Sequence, residues 1–128
     1  MVDASLVIRD YLLSKPEIVA VVADRVYAER SAPPPGYREE DGPCIVFKVR
    51  GGSISYEDAL LLPSVQIACY APSAYDARIV WNVVFSVLHG ATTARILHAE
   101  AADLGESLVE PETGWNFVVG YFSMMIRN

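Results

Sequence analysis

The sequence predicts an α+β fold, in which an antiparallel β-sheet, or alternatively a mixed one, carries one long packed helix and short helices at the N-terminus. Three observations support this class. A long amphipathic segment spans residues 74–89, segments with alternating apolar residues lie on both sides of it, and helix start signals occur near the N-terminus. Because the chain has 128 residues, we expect a single domain covering 1–128.

Two short helices are predicted at the N-terminus. Asp3 is a suitable N-cap for a helix that runs to about Leu13. The sequence SKPE at 14–17 then has the spacing of a capping box, with its proline in the first turn of a second helix. The β-branched run at 18–22 leaves a strand as the alternative for this second segment.

Residues 31–43 (SAPPPGYREEDGP) form a Pro-rich, charged segment. Consecutive prolines favour an extended backbone and cannot donate hydrogen bonds to a sheet. A connection of roughly a dozen residues is long enough to have a function of its own. We therefore expect an exposed loop that is mobile in the isolated subunit.

A β-hairpin is predicted in the middle of the chain. The segment 44–50 (CIVFKVR) alternates in its apolar pattern, and the glycine pair at 51–52 is expected to end it. After a wide connection at 53–63, a second strand at 64–71 places Cys69 on the same face as its apolar neighbours. The two strands most simply pair antiparallel.

The long helix is predicted at 74–89, with Ser73 as N-cap and Gly90 as the stop. At about 100° per residue its apolar residues share one broad arc, which we expect to pack on the sheet. The arc contains Ala74, Ala77, Val80, Trp81, Val84, Phe85 and Leu88, and the polar side contains Arg78, Asn82, Ser86 and His89.

Further strands are predicted at 95–104, 107–110 and 115–127, with a turn at 110–114 before the last one. The last strand is apolar on both faces, whereas an antiparallel strand with one face in water alternates more cleanly. We therefore expect both faces to be covered, by helices of this chain or by a neighbouring subunit. One face carries Trp115, Phe117, Val119 and Tyr121, and the other carries Val118, Phe122, Met124 and Ile126.

The residues do not form a recognisable catalytic pattern. Cys69 with His89 or His98 could supply a thiol nucleophile and a base, which defines the alternative of a small hydrolase. Cys69 is in phase with the apolar residues of its strand, however, so we interpret it as a core residue. Neither histidine lies in a zinc-binding motif, and the acidic runs lack a calcium-loop pattern. We therefore predict a protein that is not an enzyme, with no catalytic, metal-binding or cofactor-binding residues.

Composition narrows the class of protein further. An apolar fraction of 52% excludes a disordered chain, and a net charge of −6 argues against tight binding of nucleic acid. The opening segment lacks the features of a signal peptide, and no apolar run is long enough to span a membrane. Since the two cysteines have no CxxC spacing, we expect a soluble intracellular protein with free thiols.

Several short motifs follow one another along nearly the whole chain. A short N-terminal helix that ends in Leu-Leu comes first, followed by a Pro helix start. The later motifs are DRVY at 24–27, the Pro-rich loop, GPCIVF at 42–47, GG at 51–52, VQIACY at 65–70, SAYDA at 73–77 and ETGW at 112–115 before the last strand. In this order the chain resembles the tail-completion, or tail-terminator, family of long-tailed bacteriophages and related tail-like particles.

The resemblance implies a structural virion protein without a cofactor. Its subunits would form a ring, commonly six-fold, that caps the finished tail tube, ends tube polymerisation and joins the tail to the head-side connector. The implied partners are further copies of the chain, the tail-tube protein and the connector. The implied location is the head-proximal end of the virion tail, after assembly in the host cytoplasm. A head-completion (neck) protein and a monomeric peptide-binding module that uses a sheet edge are the alternatives.

Five residues are candidates for contacts with a neighbouring subunit or the tube. Phe122, Met124 and Ile126 belong to the strand with two apolar faces, for which this chain offers few helices as cover. Lys48 and Arg50 share one strand face, where we favour edge protection or a salt bridge to another subunit over contact with DNA. We expect DNA to pass through the ring without tight binding.

Overall fold

The computed structural model describes residues 1–55, 57 and 59–128, so Tyr56 and Asp58 of the predicted connection 53–63 lie outside the described residues. The predicted α+β class is confirmed, since the described chain contains three α-helices and a six-stranded sheet. In chain order the elements are α1 (Ala4–Leu13), α2 (Pro16–Val22), β1 (Val26–Ala28), β2 (Cys44–Ile54), β3 (Leu60–Ala71), α3 (Ala74–Leu88), β4 (Ile96–Ala101), β5 (Glu106–Val109) and β6 (Asn116–Arg127).

The sheet is mixed, which was the alternative to a wholly antiparallel one. Its strand order is β1-β2-β3-β6-β4, and among the described pairs β1 and β2 run parallel while the others run antiparallel. β5 pairs with the first part of β6 and β4 with its last part, so β4 and β5 follow one another along the same edge. The two ends of the sheet are therefore formed by β1 and β2 on one side and by β4 and β5 on the other.

α1 is capped as the sequence predicts. The carboxylate of Asp3 accepts hydrogen bonds from the backbone N–H groups of Ser5 and Leu6 at 3.0 and 3.3 Å. This satisfies donors that have no partner within the first helical turn. Ile8 and Leu12 lie one turn apart, and both are fully buried against the sheet and the other helices.

α2 is a helix, so the strand alternative for 18–22 is wrong. Ile18 and Val22 lie one turn apart and are both buried, and this packing outweighs the lower helix propensity of β-branched residues. The predicted capping box at 14–17 is not formed. Ser14 is instead the C-cap of α1, and α2 begins with its proline in the first turn without a side-chain cap.

The hairpin of β2 and β3 is longer than the sequence predicts. β2 continues past the glycine pair at 51–52 to Ile54, and β3 begins at Leu60. A β-bulge in β2 absorbs the extra residue. Gly52 has a φ of 127°, and a Cβ there would lie 2.3 Å from the backbone oxygen of Leu62, so this position requires glycine.

All three helices pack on one face of the sheet, and the main core lies between the two layers. The predicted apolar arc of α3 is confirmed for most of its residues, whereas Ala74 and Phe85 are exposed. The buried residues of α3 are Ala77, Val80, Trp81, Val84 and Leu88. The helix ends at Leu88 with His89 as its C-cap, one residue before the predicted end.

Phe122, Met124 and Ile126 point into this core. Their exposed fractions are 0%, 4% and 0%, and the ring of Phe122 packs against Trp81 with centroids 5.6 Å apart. The expectation that these three side chains contact a neighbouring subunit is therefore wrong. The physical reason is that α1 and α2 join α3 in a helix layer that covers this face of β6 within the chain itself.

Candidate interaction surface

The face of the sheet opposite the helices, here called the open face, carries a second apolar cluster at one end. Its buried members are Tyr37, Cys44, Val46, Ala68 and Tyr70, and Tyr27, Trp115, Phe117 and Val119 pack against them. Tyr70 and Phe117 stack with ring centroids 4.9 Å apart, and Trp115 meets Tyr37 edge-on at 5.4 Å. We call this set of residues the aromatic cluster.

The loop 31–43 lies over the aromatic cluster. Tyr37 is only 7% exposed, and its hydroxyl donates a hydrogen bond to the carbonyl oxygen of Gly42 at 2.6 Å. Arg25 fixes the end of the loop, because its Nε donates to the carbonyl oxygen of Pro43 at 2.8 Å. Most other residues of the loop are exposed. The sequence analysis missed the anchor at Tyr37, and mobility stays a prediction for the exposed part of the loop.

The other end of the open face is polar. Lys48 and Arg50 share this face, as the strand alternation predicts, and Arg50 Nη1 donates to the side-chain oxygen of Gln66 at 2.9 Å. Glu100 and Glu106 are exposed on the same face, as the alternation of β6 opposite them requires. Lys48 and Arg50 therefore remain candidates for contacts with a partner.

The two ends of the described sheet have no further strand beside them, but at the β4 end the segment 89–93 takes that place, since the Gly90 N–H donates to the carbonyl oxygen of Ala99 at 2.7 Å. β1 pairs with only three residues of β2, so the segment 48–54 of β2 has no described strand on its outer side. We call this segment the β2 edge, and we call the outer side of 96–109 the β4–β5 edge. The β4–β5 edge also exposes apolar side chains, since Leu104, Leu108 and Val109 are 84%, 39% and 58% exposed.

Both cysteines are buried, and the prediction of Cys69 as a core residue is confirmed. Cys69 and Cys44 are each 0% exposed, so neither thiol has surface that a substrate could reach. His89 Nδ1 accepts a hydrogen bond from the backbone N–H of Ala101 at 3.0 Å, which ties the end of α3 to β4. The hydrolase alternative therefore lacks an accessible nucleophile.

The acidic residues of the loop serve local structure. Residues 39–41 form a turn of 3₁₀ helix, and the Asp41 carboxylate accepts a hydrogen bond from the backbone N–H of Arg38 at 3.0 Å. Within the described residues, no group of three or more His, Cys, Asp or Glu side chains is arranged to hold a metal ion. The same part of the chain contains no helix with the length and apolar character needed to cross a membrane.

The buried thiols and phenols predict a loss of stability at alkaline pH. Burial raises the pKa of Cys44 from 9.0 to about 12 and that of Tyr70 from 10.0 to about 12, and it raises the pKa of Tyr37 and Cys69 as well. Well below pH 9 these groups are neutral in both states. Between about pH 9 and 12 the unfolded chain loses its protons first, so the free energy of unfolding falls by up to about 1.4 kcal/mol per pH unit for each group. Urea unfolding curves across this window test the prediction, and a constant midpoint would contradict it.

Cys69→Ala is expected to lower the free energy of unfolding by about 1–3 kcal/mol, because it leaves a small cavity in the core. In the native chain both thiols are expected to react slowly with an alkylating reagent, and to react at the rate of a free thiol after unfolding. Urea denaturation and thiol alkylation measure these two effects. A variant that kept its full stability but lost a catalytic turnover would show that the core interpretation is wrong.

Comparisons with protein-family models and with curated proteins give no match for this chain. Among solved structures, it is similar to a chain of the virion of a native gene transfer agent particle, with a TM-score of 0.67 and 14% sequence identity. The match covers 99% of this chain and 100% of the other. At this identity the likeness shows a shared fold, which extends over the whole length of both chains.

Proposed function

We propose that this chain is a structural protein of a phage-like particle, and that it acts there as a tail terminator. The observation that carries the proposal is the likeness in fold to a chain of a gene transfer agent virion over practically the full length of both. A fold alone does not determine a function, so the surfaces of the chain have to suit assembly as well.

The surfaces support an assembly protein. The segment 48–54 of β2 has no described strand on its outer side, and such an edge is a template for pairing with another chain. The opposite end of the sheet exposes Leu104, Leu108 and Val109. Both thiols are buried, so neither is available at these surfaces for nucleophilic attack.

The more specific part of the proposal is that the chain is a tail terminator. The order of motifs along the chain resembles that of tail terminators, and a terminator ring needs subunits that contact one another head to tail and close. We propose a ring of this chain, commonly six-fold in the resembled family, at the head-proximal end of the tail. Its partners are further copies of the chain, the tail-tube protein and the head-side connector.

DNA is proposed to pass through the ring without being held. A net charge of −6 makes the average potential of the subunit unfavourable for the phosphate backbone. We therefore expect the isolated protein to show no tight duplex binding at physiological salt, and a gel-shift titration would test this. Sub-micromolar binding there would contradict the proposed role of the ring lining.

Electron microscopy and sedimentation with purified tail-tube protein test the terminator role. We expect closed rings of the chain at one end of each tube, and shorter tubes as more of the chain is added. If the chain instead bound the portal ring and left the tube ends free, the head-completion alternative would replace the terminator. A strict monomer with both partners present would contradict a ring-forming role altogether.

A further inference from the structure

We propose that the β2 edge binds an extended segment of a different protein, in which acidic side chains alternate with apolar ones, and that this segment adds a strand to the sheet. The inference goes beyond the terminator role. It concerns one edge of a single subunit, so it holds or fails independently of the proposed ring.

The backbone of the β2 edge is free on its outer side. β1 bonds to β2 only as far as Phe47, whose carbonyl oxygen accepts from the N–H of Arg30 at 3.2 Å, and the chain then enters the loop 31–43. Because the backbone groups of a strand point alternately to its two sides, those of Val49 point to the same side as those of Phe47. From that side, no hydrogen bond of a described residue reaches 48–54. This backbone is therefore available to an added strand.

Two cations without a counter-ion flank this backbone on the open face. Lys48 and Arg50 both project there, and Arg50 bonds only to the uncharged side chain of Gln66. Among the described residues, no carboxylate forms an ion pair with either of them. Most other arginines donate to backbone carbonyl oxygens of their own chain, namely Arg9, Arg25, Arg30, Arg78, Arg95 and Arg127. Lys48 and Arg50 are thus suited to bind carboxylates of a partner.

An apolar groove flanks the same backbone on the helix side of the sheet. It has a volume of about 500 Å³ and lies between the N-terminal residues and the ends of β2 and β3. Ile54 at its border is 41% exposed. The groove has room for more than one aliphatic side chain, and its apolar lining includes Met1, Val2, Val49, Ile54, Leu61 and Pro63.

The two flanks together define the chemistry of the added strand. Successive side chains of a strand point to opposite faces of a sheet, so every second side chain would meet Lys48 and Arg50 and the others would enter the groove. The net charge of −6 does not prevent this contact, because charges farther than about 8 Å are largely screened at physiological salt. The β-bulge between Val49 and Gly52 restricts regular pairing to short runs, so we expect modest affinity.

A labelled eight-residue peptide in which glutamate and valine alternate is the probe. We expect fluorescence anisotropy to give a dissociation constant of about 100 µM or lower, with no binding of a peptide that has lysine for glutamate. A peptide of the same composition with its glutamates and valines in two separate blocks should bind roughly 10-fold more weakly, because it cannot supply both faces. Hydrogen exchange of the Val49 amide, followed by NMR, should slow by about 10-fold at saturation, which reports pairing of the backbone itself.

Two sets of variants test the two flanks. Lys48→Glu with Arg50→Glu should weaken binding of the glutamate peptide by at least about 10-fold and create binding of the lysine peptide. Lys15→Glu with Arg38→Glu changes the net charge equally but lies outside the β2 edge, so it should bind like the wild type. Ile54→Ser should weaken binding by about 3- to 10-fold, whereas Ile79→Ser, which removes a similarly exposed side chain of α3, should not. Circular dichroism checks that every variant is folded.

Three results would contradict the proposal. Failure of the glutamate peptide to bind the wild type at about 1 mM would exclude the site. Binding without slower exchange at Val49, or equal binding of the lysine peptide, would show that no strand with this charge pattern is added. If neither peptide binds but sedimentation shows self-association that Lys48→Glu with Arg50→Glu abolishes, a second copy occupies the edge instead, and the proposed ring is unaffected.

Discussion

Trp81→Ala is expected to lower the free energy of unfolding by about 3–5 kcal/mol, the range for removing a large aromatic side chain from a core. Trp81 is 2% exposed and lies where α3 crosses β6, with its ring 5.6 Å from that of Phe122. It also occupies the space that Gly120 leaves, because a Cβ at Gly120 would come within 2.4 Å of the indole ring. Urea unfolding monitored by far-ultraviolet circular dichroism measures the loss.

Phe85→Ala is the control for Trp81→Ala. Phe85 is an aromatic residue on the same helix but is 36% exposed, so its removal should cost about 1 kcal/mol or less. Both substitutions replace an aromatic residue of α3 by alanine and so change helix propensity similarly. The difference between their free energies of unfolding therefore measures the effect of burying Trp81 against β6. Equal losses from the two substitutions would show that α3 does not pack on the sheet through Trp81.

Tyr37→Ala is expected to release the loop 31–43 from the open face and to cost about 2–4 kcal/mol. The substitution removes the edge-on contact with Trp115 and the hydrogen bond to the carbonyl of Gly42. The aromatic rings beneath would then become exposed to water. Hydrogen exchange should speed up throughout 31–43, and a dye that binds exposed apolar surface should bind the folded variant.

Tyr75→Ala is the matched control, since Tyr75 is 76% exposed on α3 and its loss should leave stability nearly unchanged. If hydrogen exchange in 31–43 is equally slow in the wild type and in Tyr37→Ala, the loop is not anchored by the Tyr37 side chain.

The sequence alone was sufficient to predict the helices and strands in which apolar residues recur at a regular spacing. α3 was predicted to within one residue at its end, because its buried residues recur at helical spacing over four turns. β6 was predicted with two apolar faces, and both sets are indeed covered in part, one by the helices and the other by the loop 31–43. Cys69 was identified as core from its strand phase alone.

Features that depend on the arrangement of elements could not be predicted in this way. β1 has three residues, too few for a pattern, and its place in the sheet comes from parallel pairing with β2. The pair Gly51-Gly52 was expected to stop a strand, yet the bulge and the pairing with β3 carry the strand through it. In both cases the structure is determined by contacts between residues that are far apart in the sequence, which a local pattern does not show.

The error about Phe122, Met124 and Ile126 has the same origin. Alternation shows that a strand has two apolar faces, but it does not show which face the helices of the same chain cover. The strand order was missed as well, because alternation along one strand does not show which strand lies beside it. Lys48 and Arg50 were placed on one face correctly.

The length of tail tubes in particles assembled without this chain tests the terminator role most directly. Particles made with the chain should have tails of one uniform length, each closed by a ring at its head-proximal end. Without the chain, tube protein should continue to polymerise into tubes of variable and excessive length that do not join heads, and adding the purified chain during assembly should restore uniform tails. Tubes of normal, uniform length in the absence of the chain would contradict the proposed function.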